Sequence, residues 1–519
     1  SPHARVCRPP PPMGKGRDKR KDKRQERKGD IAAKQEKKLA KKQQKWDRQE
    51  GKAHEEAAEF DDVEALLAAY RHQKKVDATC ALEECDTPGP RVNATLAPHP
   101  TSKHGELVLF GGEYWSGRSL KVYNNLYLYR PDKDQWREIS SEYCPAPRCS
   151  HQAITYKSSM YIYGGEFTAP SQSSSFHFQD LWAFNFKHME WQDCSKVAKG
   201  GPSARSGHRM VVWKKNFVLF GGFHAAKSQM EPTYFNDLWV LQDVEGEAVW
   251  TTAEYSPYDD VPKPRSGCCL SCYENTVFMF GGYSSQKQEG GQQLHGVSHT
   301  DLWQITLPDM KWQKIRTQGI APSIRSGVSM CADKRRAIFF GGVWDYDDGD
   351  KDFQSVFHND MYTLNWESKR WFPLQPQKKQ HRGKAAVHAS EDNADQELSE
   401  AVPSGRINTL LAVLDNKLYL YGGIREDGSK EVTFNDMWTL NLNRLDGWKC
   451  IFDESKMDWD GEEEGQDDSG DDSEDDAQPQ SEAPADSKSD PKGKATASAL
   501  ARAVVQVVDS VDSATCPDG

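Results

Sequence analysis

The sequence predicts an all-β fold, a six-bladed β-propeller of four-stranded sheets, and three observations carry the prediction. A hydrophobic run closes on a glycine pair six times, at Gly111-Gly112, Gly164-Gly165, Gly221-Gly222, Gly281-Gly282, Gly341-Gly342 and Gly422-Gly423. The pairs recur at intervals of roughly 50 residues, the length of a repeat that contributes one small sheet per unit. Further landmarks travel with each pair in constant order.

The first is a Pro-x-Arg or Pro-x-x-Arg element ahead of each pair, at Arg91, Arg148, Arg205, Arg265, Arg325 and Arg406. In the last five units the arginine precedes the second glycine by 17 residues, whereas the first unit has four extra residues near Lys103 and His104. After each pair comes a polar–apolar–aromatic step: Asn125-Leu126-Tyr127, Asp180-Leu181-Trp182, Asp237-Leu238-Trp239, Asp301-Leu302-Trp303, Asp360-Met361-Tyr362 and Asp436-Met437-Trp438. A tryptophan follows 9 to 11 residues later, at Trp136, Trp191, Trp250, Trp312, Trp371 and Trp448.

Physical chemistry assigns each landmark a place. The runs LVLF, MYIY, FVLF, VFMF, AIFF and LYLY are the β-branched and aromatic type of a strand buried on both faces. Glycine at their ends permits positive φ and close backbone approach. Asp or Asn opening the next strand can bond its own turn. The late tryptophan can bury a large ring between blades and place its N–H on a carbonyl. Each unit therefore reads as four antiparallel strands: A after the arginine, B ending in Gly-Gly, C with the Asp-Leu-Trp step, and D with the late Trp. Because unit one opens with its own A strand and unit six ends with its own D strand, side-chain packing is expected to close the ring. A strand lent by residues 76–88 is disfavoured because TCALEECDTPGP lacks alternation.

This pattern resembles the Kelch repeat from Arg91 to about Cys450. The phrases FGGEYW (110–115), YGGEF (163–167), SGHRMVVWK (206–214), FGGFH (220–224) and FGGYS (280–284), with their flanks, look like the Kelch domain-containing protein 4 family. The resemblance implies a propeller that binds other molecules and carries no established catalytic residues.

Composition divides the chain. Residues 1–12 read as leader sequence or a fragment edge, since Met13-Gly-Lys looks like a natural start. Residues 13–60 form a Lys/Arg-rich arm, with 17 basic against 7 acidic residues from Met13 to Lys52. An amphipathic helix is expected over 61–75, where Val63, Leu66, Leu67 and Tyr70 share one face and Asp61 with Glu64 makes a capping-box-like start. It either docks on the propeller, the favoured reading, or anchors a partner. The propeller spans 89–453 with a polar insertion at 376–400, and 454–519 is an acidic tail. From Asp453 to Asp490 there are 17 acidic residues and 2 lysines. Such like-charge blocks stay solvated and read as disordered interaction tails. No secretory pattern and no stretch of about 18 apolar residues appears, so a cytoplasmic or nuclear protein is expected. The 12 cysteines form no disulfide framework.

Length variation points to a working surface. The B–C connections are long at 166–179, 223–235, 283–299 and 343–358, and in an up-and-down blade they share a face with the D–A connections. Variable loops on a rigid scaffold are where binding concentrates. The candidate contacts are Glu113, Tyr114, Trp115, Glu166, Phe167, Phe223, His224, Tyr283, Trp344, Asp345, Asp347 and Asp348, any of whose aromatics can instead brace its own loop.

Sharper chemistry fails on spacing. Cys269 and Cys272 lie on strand A without a second pair and read as buried thiols rather than zinc ligands. His151 and His208 hold a slot that Cys268 and Val328 fill elsewhere, so packing explains them. Asp345–Asp350 lacks the glycine position and terminal Glu of a calcium loop, and Asn93-Ala-Thr95 reads as a silent glycosylation sequon. No metal, cofactor or catalytic residue is expected. The favoured function is a non-enzymatic, monomeric adaptor for a protein or peptide. Its alternatives are an RNA- or ribosome-associated factor, or a binder of an acidic partner, acting through residues 14–52, and a ubiquitin-ligase substrate-recognition subunit. A propeller enzyme ranks last.

Overall fold

The computed structural model describes residues 63, 66, 67 and 80–455, apart from 173, 199, 226–230, 288–293, 347–353, 377–401 and 428–429. The expected leader or fragment edge at 1–12, the arm at 13–60, nearly all of 454–519 and all but the first residue of the 376–400 insertion lie outside this range, as do Tyr70, Asp347 and Asp348.

Six antiparallel sheets follow one another, each with its strands in the spatial order A-B-C-D. Blade two is typical: Gln152–Tyr156, Ser159–Tyr163, Leu181–Asn185 and Glu190–Asp193. In blade six the strands are Leu410–Leu414, Lys417–Tyr421, Asp436–Asn441 and Trp448–Asp453. The B strands are the most deeply buried, as their unbroken apolar runs require.

A hydrophobic cluster fills every junction between successive blades, and the one joining blade six to blade one includes Leu410, Tyr419 and Tyr421 against Leu107, Tyr129 and Trp136. Each late tryptophan packs on the aromatic residue that ends strand B of the preceding blade. Trp191 meets Phe110, Trp250 Tyr163, Trp312 Phe220, Trp371 Phe280 and Trp448 Phe340, with centroids 5.0–6.2 Å apart. Trp136 of blade one reaches Tyr421 of blade six at 6.2 Å, completing the circle. Ring closure therefore rests on side chains.

The glycine pairs make the junctions possible. The second glycine of each pair has φ between 90° and 105°. A Cβ on Gly222 would lie 2.7 Å from the Ser206 carbonyl oxygen, and one on Gly221 equally near that of Arg265 in the next blade. In four blades the second glycine's N–H donates to the carbonyl of the next blade's arginine at 2.9–3.0 Å.

Two elements depart from expectation. Ala81–Cys85, dismissed for want of alternation, is a strand that pairs antiparallel with strand D of blade one, Gln135–Ser140. It is an edge strand with four of its five residues exposed, so backbone hydrogen bonding places it and no apolar period is needed. Gln318–Gly319 likewise adds a parallel fifth strand to blade five. The expected helix is present at Val63, Leu66 and Leu67, and Val63 and Leu67 are buried against Phe167, Ala169 and Phe178 of blade two. The helix docks on its own propeller.

Candidate partner-binding face

Every B–C connection is itself a β-hairpin, in all six blades. The residue after each Gly-Gly bridges the residue after the same blade's arginine, from Val92–Glu113 to Ile407–Ile424. Two residues past each arginine the backbone is left-handed, at Asn93, Ser150, Gly207, Gly267, Gly327 and Asn408, with φ of 51–64°. These turns and the A strands beyond them line a central cavity of about 230 Å³ to which all six blades contribute.

The six arginines anchor the hairpins. Each is buried and donates to the carbonyl of the first glycine of its own pair at 2.9–3.3 Å. In blades two to six it also pairs with the aspartate that opens strand C, at 2.5–2.7 Å. One guanidinium thus fixes the start of A, the end of B and the start of C at the hairpin's base. The aspartate also accepts the indole N–H of the strand-C tryptophan in four blades, at 2.6–2.8 Å. Burial alone would raise the Asp180 carboxyl, but Arg148 and Trp182 outweigh it and hold the group below its ordinary value. The arginines thus act both as donors to carbonyls and, in blades two to six, as ion-pair partners. The D-strand tryptophans depart from expectation, since the indole N–H groups of Trp136 and Trp250 are buried without a partner. In blade one Asn125 replaces the aspartate and bonds Glu138, and Arg91 stacks 4.2 Å from the Tyr123 ring centroid.

The candidate contacts divide by burial. Glu113, Glu166, Phe167, Phe223 and Tyr283 are buried, and Tyr114, Trp115, His224 and Asp345 are half-buried. Trp344 is 41% exposed and stacks on Tyr346 at 4.6 Å, opposite Val356, which is 39% exposed. Asp345 accepts from Ser355, and burial pushes its carboxyl up.

Sequence reasoning missed a polar cluster among the buried residues. Glu113 accepts from Asn93 Nδ2 at 2.8 Å. Burial, then Glu113, pushes the Glu166 carboxyl well above the usual range, against a hydrogen bond from Ser150. His177 bonds Ser206 Oγ at 2.8 Å and accepts the Ala225 N–H at 3.1 Å. Burial, then His224, pushes its imidazole down to about 3. Glu113 and Glu166 occupy the same slot in their repeats, where the other four blades carry Phe223, Tyr283, Val343 and Ile424, and that alignment is the signal that could have found them.

Cys269 and Cys272 are free thiols pushed up by burial to about 12 and 11. His151 is buried at the junction of blades one and two, where burial and Arg148 push it down to about 3. Among the described residues no group of three or more His, Cys, Asp or Glu is placed to hold a metal ion, and no helix is long and apolar enough to cross a membrane.

The family model described as the KLHDC2/KLHL20/DRC7 Kelch-repeats domain matches residues 93–289 and 202–394, more than half of the chain. The chain belongs to this Kelch-repeat family. Among curated proteins, this Kelch-repeat chain is 25% identical over 328 residues to a leucine-zipper-like transcriptional regulator 1 homolog of Drosophila melanogaster, covering 61% of the chain and 28% of that protein. It is 24% identical over 298 residues to an N-(sulfonatooxy)prop-2-enimidothioate sulfolyase of Thlaspi arvense, covering 54% and 82%. Human host cell factor 1 is 22% identical over 389 residues, covering 68% of the chain and 17% of that protein.

Proposed function

We propose that this Kelch-repeat protein is a non-enzymatic scaffold whose hairpin face captures a protein or peptide partner. One observation carries the reading: six arginine-anchored hairpins rise from a rigid ring, and one presents Trp344, stacked on Tyr346 and set beside exposed Val356. Exposed aromatics on a preorganised base cost little entropy to bind with and are the residue class enriched at interfaces. Trp344 with half-buried Tyr114, Trp115 and His224 supplies the contacts, and buried Phe167, Phe223 and Tyr283 brace the hairpins. The phrases and charged flanks of the sequence support a kinship with the Kelch domain-containing protein 4 family. The name of one relative, a leucine-zipper-like transcriptional regulator homolog, fits a nuclear scaffold, and we take the protein as a monomer of the cytoplasm or nucleus. The propeller takes 89–453, between a basic arm and an acidic tail that tune encounter.

The basic arm supports a second reading, an RNA, ribosomal or acidic partner held by residues 14–52, since each phosphate contact would release counterions. Affinity capture with the full chain at two salt concentrations, with and without nuclease, separates the two. The scaffold reading expects partners that survive nuclease and are lost in Trp344→Ala. Partners that vanish with nuclease and ignore Trp344→Ala would replace it with the arm reading.

A further inference from the structure

Blade five departs from the other blades on its outer edge. The residue after the late tryptophan is polar elsewhere, at Arg137, Gln192, Thr251, Gln313 and Lys449, but in blade five it is Phe372, 46% exposed. Its strand, Arg370–Pro373, turns Trp371 into the junction of blades four and five, so Arg370 and Phe372 share the opposite face. The Arg370 guanidinium carbon lies 5.7 Å from the Phe372 ring centroid. Gln318–Gly319 runs parallel to this strand, with Gln318 beside Arg370 and Gly319 beside Trp371, and the Gln318 N–H donates to the Lys369 carbonyl at 3.1 Å. Gly319 permits the approach, since a Cβ there would collide with the Trp371 carbonyl oxygen. The same register carries Ile320, 65% exposed, alongside Phe372. Arg316 and Arg370 are exposed too, and among the described residues neither has an ion-pair partner. Glu367, the acidic residue nearest Arg370 in sequence, is taken by the Tyr273 hydroxyl at 2.8 Å and by Arg335 at 3.5 Å. Lys311 and Lys314, on the strand that leads into Arg316, add exposed positive charge.

We propose that this strip, Ile320 and Phe372 flanked by Arg370 and Arg316, docks an acidic segment of a protein partner in which apolar side chains stand among carboxylates. Large apolar side chains held exposed side by side on two paired strands mark an interaction surface. The free guanidinium groups supply the second half of the recognition, because each can take a carboxylate through two parallel N–H donors. A basic segment would meet like charge, and a neutral apolar one would cover the arginines without pairing them. A nucleic-acid strand could use the same arginines and stack on Phe372, but it gains nothing from the aliphatic Ile320 beside the ring. The repeat gives the independent support: five blades fill the slot after the late tryptophan with a polar residue, so the fold has no need of an exposed phenylalanine there. The strip lies on the outer edge of the blade and does not rest on the hairpin-face reading.

The test is fluorescence anisotropy of a short labelled peptide that alternates glutamate with leucine, titrated with the full chain. One control peptide carries serine for leucine and another lysine for glutamate. The expected result is saturable binding of the glutamate–leucine peptide and neither control. Affinity should fall at least fivefold in Phe372→Ser, in Ile320→Ser and in Arg370→Gln, each checked for an unchanged melting curve. Val249→Ser, which removes an exposed apolar side chain from strand D of blade three, should stay within twofold of the unmodified chain. Equal binding of the serine control, or binding that ignores all three strip variants, overturns the proposal. No saturable binding at sub-millimolar concentration, the result also expected where the chain's own acidic tail occupies the strip, overturns it as well. Tighter binding of labelled oligothymidylate would replace the protein partner with a nucleic acid, and a dimer in sedimentation velocity that Phe372→Ser dissolves would replace it with a second copy. Partner capture that depends on Trp344 is read separately, so the scaffold reading stands or falls without the strip.

Discussion

The five Arg–Asp pairs share one geometry but differ in water access, which makes a graded prediction possible. Asp436 is 2% exposed at its side chain and Asp360 is 40% exposed, while their partners Arg406 and Arg325 are both buried. Replacing each arginine by methionine keeps an apolar stem and removes the guanidinium. Both variants lose the bond to the first glycine's carbonyl, so that cost largely cancels in the comparison. In Arg406→Met the Asp436 carboxylate stays buried without a counter-charge, a situation that costs about 3–5 kcal/mol. In Arg325→Met water solvates Asp360, and the charge contribution falls toward the roughly 0–1 kcal/mol of an exposed pair. Arg406→Met should therefore be less stable than Arg325→Met by about 2–5 kcal/mol. Arg406→Met/Asp436→Asn should recover part of the loss, because the orphan charge is gone. The measurement is equilibrium urea unfolding by tryptophan fluorescence and far-UV circular dichroism, compared where the two probes coincide. Equal losses in the two single variants, or a greater loss in Arg325→Met, would refute the claim that these pairs act through buried charge.

Three further outcomes follow from the same structure. Gly222→Ala should cost about 2 kcal/mol or more, since φ is 98° and a Cβ would sit 2.7 Å from the Ser206 carbonyl, whereas Gly200→Ala, with nothing within 4 Å, should cost about 1 kcal/mol; thermal melts compare them. His208 is buried, and burial with Arg205 holds its imidazole well below the ordinary value. The unfolded state therefore binds more protons below about pH 6.5, stability is full above that pH and declines as pH falls toward the folded value, by up to roughly 1.4 kcal/mol per pH unit. His208→Val, the residue blade five carries in this slot, should flatten that decline in urea titrations at pH 7.5 and 5.5. Trp371→Ala should cost about 3–5 kcal/mol because the ring fills the junction of blades four and five, while Trp344→Ala should change stability by less than about 0.5 kcal/mol and act only on partner capture.

The propeller was legible because its strongest signals are local and repeated. A doubly buried B strand must be apolar along its length, and a glycine pair pressed against a neighbour's backbone tolerates no side chain, so both constraints are written into consecutive residues six times over. Ala81–Cys85 escaped because an exposed edge strand imposes no pattern on its side chains. The Arg–Asp pairs escaped for another reason. Their members stand 30 to 36 residues apart, and nothing short of the folded blade shows that Arg148 and Asp180 meet. The candidate face was placed by loop length, but its members were chosen by residue type, which does not separate exposed Trp344 from buried Phe223.

A repeat protein carries its own controls, and these separate scaffold from specialisation better than residue type does. Where a position holds the same kind of residue in every blade, as with the buried arginines, the common geometry accounts for it. Where the blades diverge, the geometry asks for nothing specific and the particular residue needs its own cause. The slot after Gly-Gly accepts Phe223, Tyr283, Val343 and Ile424 as apolar fillers, so the backbone there has no need of a carboxylate. Two adjacent blades nonetheless bury one each, beside a histidine whose free lone pair is already engaged. The aspartate slot diverges once, in blade one, where Asn125 stands in it and Arg91 keeps on Tyr123 the ring contact that Phe178, Phe235 and Phe434 make with the arginines of three other blades. Glu166 Oε2 has no hydrogen-bond partner among the described residues, so the carboxylate in that slot is a departure its own blade does not account for.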